Sequence, residues 1–112
     1  MKIKLKKKPR IFYPNKKKKL KIADYGQILL EPNEQICLIT NRNSKHEITR
    51  KEWGFYATQS INSRLKKNFK TAITENSKKN IFIMMVEKKY INSFKKYCKE
   101  HRQKVLIWLD KF

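Results

Sequence analysis

An α+β fold, built on a mainly antiparallel sheet of five or six strands with one C-terminal amphipathic helix, is what the sequence predicts. Three observations lead there. Short segments with apolar residues at alternating or successive positions recur between turn clusters from residue 27 onward. One stretch, near 88–102, follows a helical period instead. The chain has 112 residues, the size of one domain.

Taken in chain order, residues 1–21 form a lysine-rich N-terminal arm and 22–112 a single α+β domain. The arm holds Lys6, Lys7, Lys8 and Arg10, then Lys16, Lys17, Lys18, Lys19 and Lys21. Like-charge repulsion together with Pro9 and Pro14 opposes a helix here, so the arm is expected to be extended. Ile11-Phe12-Tyr13 is its one apolar stretch, a short edge strand or a clip onto the body. Asp24-Tyr25-Gly26 reads as a turn. Gln27–Leu30 and Glu34–Thr40 are expected strands, separated by Glu31-Pro32-Asn33. After the turn cluster 41–44, Lys45–Lys51 has few apolar positions and reads as an edge strand. Ser60 can cap a short helix near 60–67. Phe69–Thr74 and Asn80–Glu87 form a hairpin across 75–79, and Lys104–Leu109 is the last strand. Over 88–102, Tyr90, Ile91, Phe94, Tyr97, Cys98 and His101 share one helix face, with Lys88, Lys95, Lys96 and Lys99 opposite.

Segments 36–40, 81–86 and 105–109 are apolar at both odd and even positions, which puts apolar side chains on both sheet faces. One helix covers only one of them. The segment 53–68, the arm or a second copy of the chain must cover the other, so a homodimer through an uncovered sheet face is expected.

The charge is extreme: 29 Lys and Arg against 9 Asp and Glu, a formal +20. Part of this is coding bias toward A and T, since Lys outnumbers Arg 24 to 5 and Ile outnumbers Val 13 to 2. Such bias does not explain the scarcity of carboxylates, whose codons are equally AT-rich. Residues 1–22 carry 11 basic and no acidic side chains. This concentration points to nucleic acid, RNA above all, or another polyanion as the arm's partner.

The second candidate is Trp53–Leu65. Trp53, Phe55 and Tyr56 surround Gly54, and Thr58, Gln59, Asn62 and Arg64 follow. Two readings stand. In one, aromatic faces and polar side chains hold a small polar ligand or a protein partner; in the other, the segment is a cover for the sheet. A non-enzymatic module with a polyanion-binding arm and a homodimeric scaffold with a ligand loop are the two corresponding functions.

No catalytic, metal or cofactor site is expected. His46 and His101 lie apart from any paired carboxylates. Cys37 and Cys98 have no metal-ligand spacing, and two glycines cannot make a phosphate loop. The longest apolar run, Ile81–Val86, is too short to span a membrane. With no export segment and two cysteines that need no disulfide, a cytoplasmic location is expected.

The segments Asp24-Tyr25-Gly26-Gln27-Ile28, Thr49–Leu65, Val86-Glu87-Lys88 and Trp108-Leu109-Asp110 together resemble a family of small bacterial proteins of no known activity. The resemblance spans roughly residues 20–110 and leaves the arm outside. In that family the position of Gln59 reads Pro and that of Ser63 reads Gly, so the loop backbone differs here. The resemblance implies a compact single domain and no mechanism.

Overall fold

The computed structural model of the chain describes residues 1–15 and 20–111. Eight strands and one α-helix follow one another as β1 (Lys2–Asn15), β2 (Leu20–Leu29), β3 (Gln35–Ile39), β4 (Lys45–Lys51), β5 (Gly54–Ala57), β6 (Phe69–Glu75), β7 (Ile81–Glu87), α1 (Ile91–Glu100) and β8 (Lys104–Trp108). The class is α+β and all pairing is antiparallel. Instead of one five- or six-stranded sheet there are three small ones: β1-β2, β3-β4-β5 and β7-β6-β8.

In the first sheet, the extended N-terminal segment is hydrogen-bonded along β2, and the boundary expected between residues 21 and 22 falls inside that strand. The ladder is regular from Lys2↔Leu29 to Leu5↔Gly26 and resumes at Arg10↔Asp24. Between these pairs β1 has three more residues than β2, so Lys6-Lys7-Lys8-Pro9 bulges from the ladder. Proline has no amide hydrogen for the ladder, which suits it to the bulge. Asp24-Tyr25-Gly26 is therefore not a turn but the partner of this bulge. Gly26 is needed there: its φ is 137°, and a Cβ would lie 2.0 Å from the Lys4 carbonyl oxygen.

In the second sheet, Lys45–Lys51 is the central strand and not an edge. The chain turns at Glu52-Trp53, and Gly54–Ala57 pairs back onto β4 through Lys51↔Gly54, Arg50↔Phe55, Thr49↔Tyr56 and Ile48↔Ala57. Aromatic residues favour strands, and that preference outweighs the loop-like composition of this stretch. The short helix expected near 60–67 is reduced to a 3-10 turn at Leu65–Lys67. The Ser60 carbonyl accepts hydrogen bonds from the Ser63 and Leu65 amides, and its hydroxyl accepts one from the Arg64 amide.

The third sheet carries the helix. A 3-10 turn, Lys88–Tyr90, leads into α1, and the two make a helical segment of 13 residues. Ile91, Phe94, Tyr97, Cys98 and His101 lie on its covered side, with Cys98 buried. Phe94 meets Trp108 edge-on at 5.8 Å between ring centroids, which seats α1 on the sheet face of Trp108, Met84 and Val86. The helix ends with Arg102 at φ 53°, and the Gln103 amide returns to the Cys98 carbonyl at 2.8 Å. The core is small: Leu65, Phe69, Ala72, Val86 and Cys98 are its buried apolar residues around β6, with Leu30 separate.

Glu87 joins the second and third sheets. It accepts hydrogen bonds from the Thr40 hydroxyl at 2.6 Å and from Arg42 Nε at 2.8 Å, with Arg42 Nη2 on the same oxygen as Nε. The Arg42 guanidinium also lies 3.9 Å from the centroid of the Tyr90 ring. Chiefly through Thr40 and then Arg42, the carboxyl is held at a pKa of about 2.

Candidate functional site

The first two sheets meet in an open cleft of about 660 Å³. The proximal hairpin supplies Lys2, Lys4, Gln27 and Leu29; the β4–β5 turn supplies Arg50, Glu52, Trp53 and Phe55. Cross-strand partners share a face, so Lys2 with Leu29 and Lys4 with Gln27 line one wall. Arg50 and Phe55 are likewise partners on the other. The ammonium of Met1 meets Glu34 at 3.0 Å and ties the hairpin base to the segment before β3. Trp53 is 71% and Phe55 61% exposed, a large cost in water for residues of this size. Three cations, one carboxylate and two flat aromatic surfaces thus line a groove open to solvent.

The sequence-predicted site residues divide between this cleft and other places. Trp53 and Phe55 line the cleft together with the first lysines of the arm. Tyr56 stands on the opposite face of the sheet, on the side of Thr49, and its ring lies 6.0 Å from that of Trp53. Thr58 and Arg64 belong to a polar chain on this second face. The Thr58 and Thr49 hydroxyls hydrogen-bond each other, Thr49 donates to Gln35, Gln35 donates to Glu47, and Arg64 reaches Glu47 at 3.1 Å. These contacts pin the 58–64 segment to β3 and β4. Gln59 has its side-chain oxygen buried without a hydrogen-bond partner among the described residues, and Asn62 is exposed. The first half of the segment offers aromatic surface and its second half holds the chain against the sheet.

Within the arm, Lys6 and Arg10 both approach Asp24, at 3.8 and 3.3 Å, across the bulge. The Gly26 amide, then Lys6 and Arg10, hold the Asp24 carboxyl below its ordinary range. Arg10 also stacks over Phe12, 4.6 Å from the ring centroid. Lys7, Lys8 and Lys21 are exposed. Lys16, Lys17, Lys18 and Lys19 lie outside the described residues. Lys2, Lys4, Gln27 and Arg50 are the cleft residues that the sequence reading missed. The signal available for them was the period-two placement of Lys2 and Lys4, overshadowed by the denser clusters that follow.

His46 is buried on β4, its Nδ1 without a partner among the described residues, and burial lowers its pKa. Cys37 is exposed and Cys98 buried, both as free thiols. Among the described residues no group of three or more His, Cys, Asp or Glu side chains is placed to hold a metal ion. No helix among them is long and apolar enough to cross a membrane. Comparison with protein-family models, curated proteins and solved structures finds no match. The reading of the site rests on its own residues.

Proposed function

We propose that this chain is a non-enzymatic binding module for a single-stranded polyanion, RNA first, held along the β1–β2 hairpin with its bases against Trp53 and Phe55. The observation that carries the reading is the juxtaposition of Lys2, Lys4 and Arg50 with two exposed aromatic rings in one open cleft. Cations neutralise phosphates, and aromatic faces stack bases with little regard to sequence. The hairpin geometry suits this partner. Same-face residues of a strand recur about every 6.8 Å, so the hairpin presents its cations in a row along which an extended backbone can run. Lys2 and Lys4 are so spaced, and the bulge then presents Lys7 and Lys8.

The test is fluorescence anisotropy of a labelled single-stranded RNA against salt, with heparin as a polyanion that has no bases. Six cations, Lys2, Lys4, Lys7, Lys8, Lys21 and Arg50, give an expected log–log slope of about −4 for a single strand. Trp53→Ala and Phe55→Ala each weaken RNA by about 1–3 kcal/mol and leave heparin unchanged. Salt-independent RNA binding, or equal loss for RNA and heparin in both aromatic variants, overturns the reading.

A further inference from the structure

We infer that β7 is the contact strand of a homodimer, in which two copies pair antiparallel edge to edge and join their three-stranded sheets into one of six strands. The proposal concerns the third sheet and is independent of the polyanion reading of the first two.

A compact chain of 13.6 kDa exposes about 6,600 Å², whereas this one exposes 8982 Å². Its radius of gyration is 15.6 Å, against about 13 Å for a compact chain of this length. The excess of roughly 2,400 Å² is well beyond the 800 Å² or so that each partner of a standard interface gives up. Exposed apolar side chains contribute to it. On the sheet face opposite α1, Ile81, Ile83 and Met85 of β7 adjoin Ile73 of β6 and Ile107 of β8. The 3-10 turn at Leu65–Lys67 packs on β6, where Leu65 and Phe69 are buried. It does not reach the far end, where Ile81 is 54% and Ile83 65% exposed.

The edge selects the occupant. Soluble proteins protect free edge strands with charge, proline, bulges or brevity. β7 runs for seven residues, and from Ile81 to Val86 it has neither charge nor proline. Its pairing with β6 is continuous from Phe69↔Glu87 to Glu75↔Ile81, without a bulge to twist the edge away. The opposite edge, β8, is blunter: it has five residues, starts at Lys104 and contains a register irregularity beside Ile73. An antiparallel pair about a twofold axis near Ile83 sets Ile81 of one copy beside Met85 of the other. It also brings Lys78 and Lys79 of each strand toward Lys88 of its mate and toward Glu87, which is already paired with Arg42, so the uncharged centre carries the contact and the lysines meet only at the rim. Their residual repulsion is screened by salt, and association should tighten as salt rises.

Sedimentation of nuclease-treated full-length protein tests this, at rising concentration and in two salt concentrations. The expected mass is twice 13.6 kDa, with tighter association at the higher salt. Ile83→Lys should raise the dissociation constant by at least about tenfold with unchanged circular dichroism. Because that variant can lose stability, a second measurement uses Ile83→Cys in a Cys37→Ser background. Oxidation should cross-link it to a dimer, whereas Leu106→Cys on β8 in the same background should not cross-link. A monomer at every concentration, a dimer undisturbed by Ile83→Lys, or cross-linking through residue 106 rather than 83 would overturn the proposal.

Discussion

Two glycines with nearly the same backbone angle make an internal control for the hairpin. Gly26 has φ 137° and Gly54 φ 140°, so an alanine at either meets the same kind of backbone penalty, about 1–3 kcal/mol. Their surroundings differ. A Cβ at Gly54 has nothing within 4 Å, whereas at Gly26 it falls 2.0 Å from the Lys4 oxygen and 3.0 Å from the Lys4 carbonyl carbon. Real Cβ contacts essentially never fall below 3.0 Å, so β1 must retreat by an ångström or more. A ladder hydrogen bond of about 2.9 Å then stretches past its useful range, and each lost bond costs about 0.5–1.5 kcal/mol. With two bonds at stake, Gly26→Ala should cost about 1–3 kcal/mol more than Gly54→Ala. The assay is amide hydrogen exchange, read at Lys2–Leu5 and Gly26–Leu29, alongside thermal unfolding. Gly26→Ala should speed exchange throughout the proximal hairpin, and Gly54→Ala should leave those amides protected. Equal protection of the proximal hairpin in both variants would refute the close approach of Gly26 to Lys4.

The remaining predictions probe the body. Glu87 has its pKa lowered from 4.5 to about 2 in the fold, so its contribution is complete above pH 4.5 and is lost as pH falls toward 2. Acid scans should show the melting temperature of the native protein falling through that window more steeply than that of Glu87→Gln. Equal slopes would remove the clamp. Arg102 occupies a positive φ of 53° at the end of α1, where glycine carries no Cβ penalty. Arg102→Gly should therefore stabilise by about 1 kcal/mol, read as a rise of about 4–8 °C in melting temperature. Leu65 is 2% exposed, and Leu65→Ala should cost about 2–5 kcal/mol in chemical denaturation. A cost below 1 kcal/mol would show that the 3-10 turn is not part of the core.

What the sequence made legible was local. The face of α1 could be read from the spacing of Ile91, Phe94, Tyr97 and Cys98, because a helix must bury one side. The 76–80 turn could be read from its Asn and Ser content, and Asn76 does accept hydrogen bonds from the Lys78 and Asn80 amides. Pairing across distance was not legible. Lys45–Lys51 is central because Gly54–Ala57 folds back on it, and β5 has only four residues, too few for alternation to stand out. The hairpin escaped detection for a related reason: its register shifts at Lys6–Pro9, so the apolar period of Ile3 and Leu5 is broken before Ile11. The single sheet expected from so many strands becomes three because neither β2 and β3 nor β5 and β6 pair. The chain between β5 and β6, 58–68, is taken up by Thr58, Arg64 and Leu65 holding it to other elements. The candidate site was half legible. Trp53 and Phe55 stand out by type, but the lysines facing them come from a segment fifty residues away.

The scarcity of carboxylates gains a physical reading from where they stand. Of the nine acidic residues, six are in ion pairs among the described residues: Asp24, Glu34, Glu47, Glu75, Glu87 and Glu100. Four of these fix particular junctions: Asp24 the bulge, Glu34 the chain terminus, Glu47 the 58–64 segment and Glu87 the meeting of two sheets. An acid committed in this way is already neutralised by its partner and opposes an approaching anion weakly. Lysines outnumber such partners many times over, so the field outside the chain is nearly that of the unmatched cations. Coding drift can supply surface lysines, but it does not by itself explain why nine carboxylates accompany 29 cations. A chain under no constraint on its field would accumulate scattered Glu as readily as scattered Lys. The net field that results is one suited to the polyanion partner proposed above. Under the proposed β7 dimer, net repulsion between copies would disfavour every contact except one whose apolar centre outweighs it.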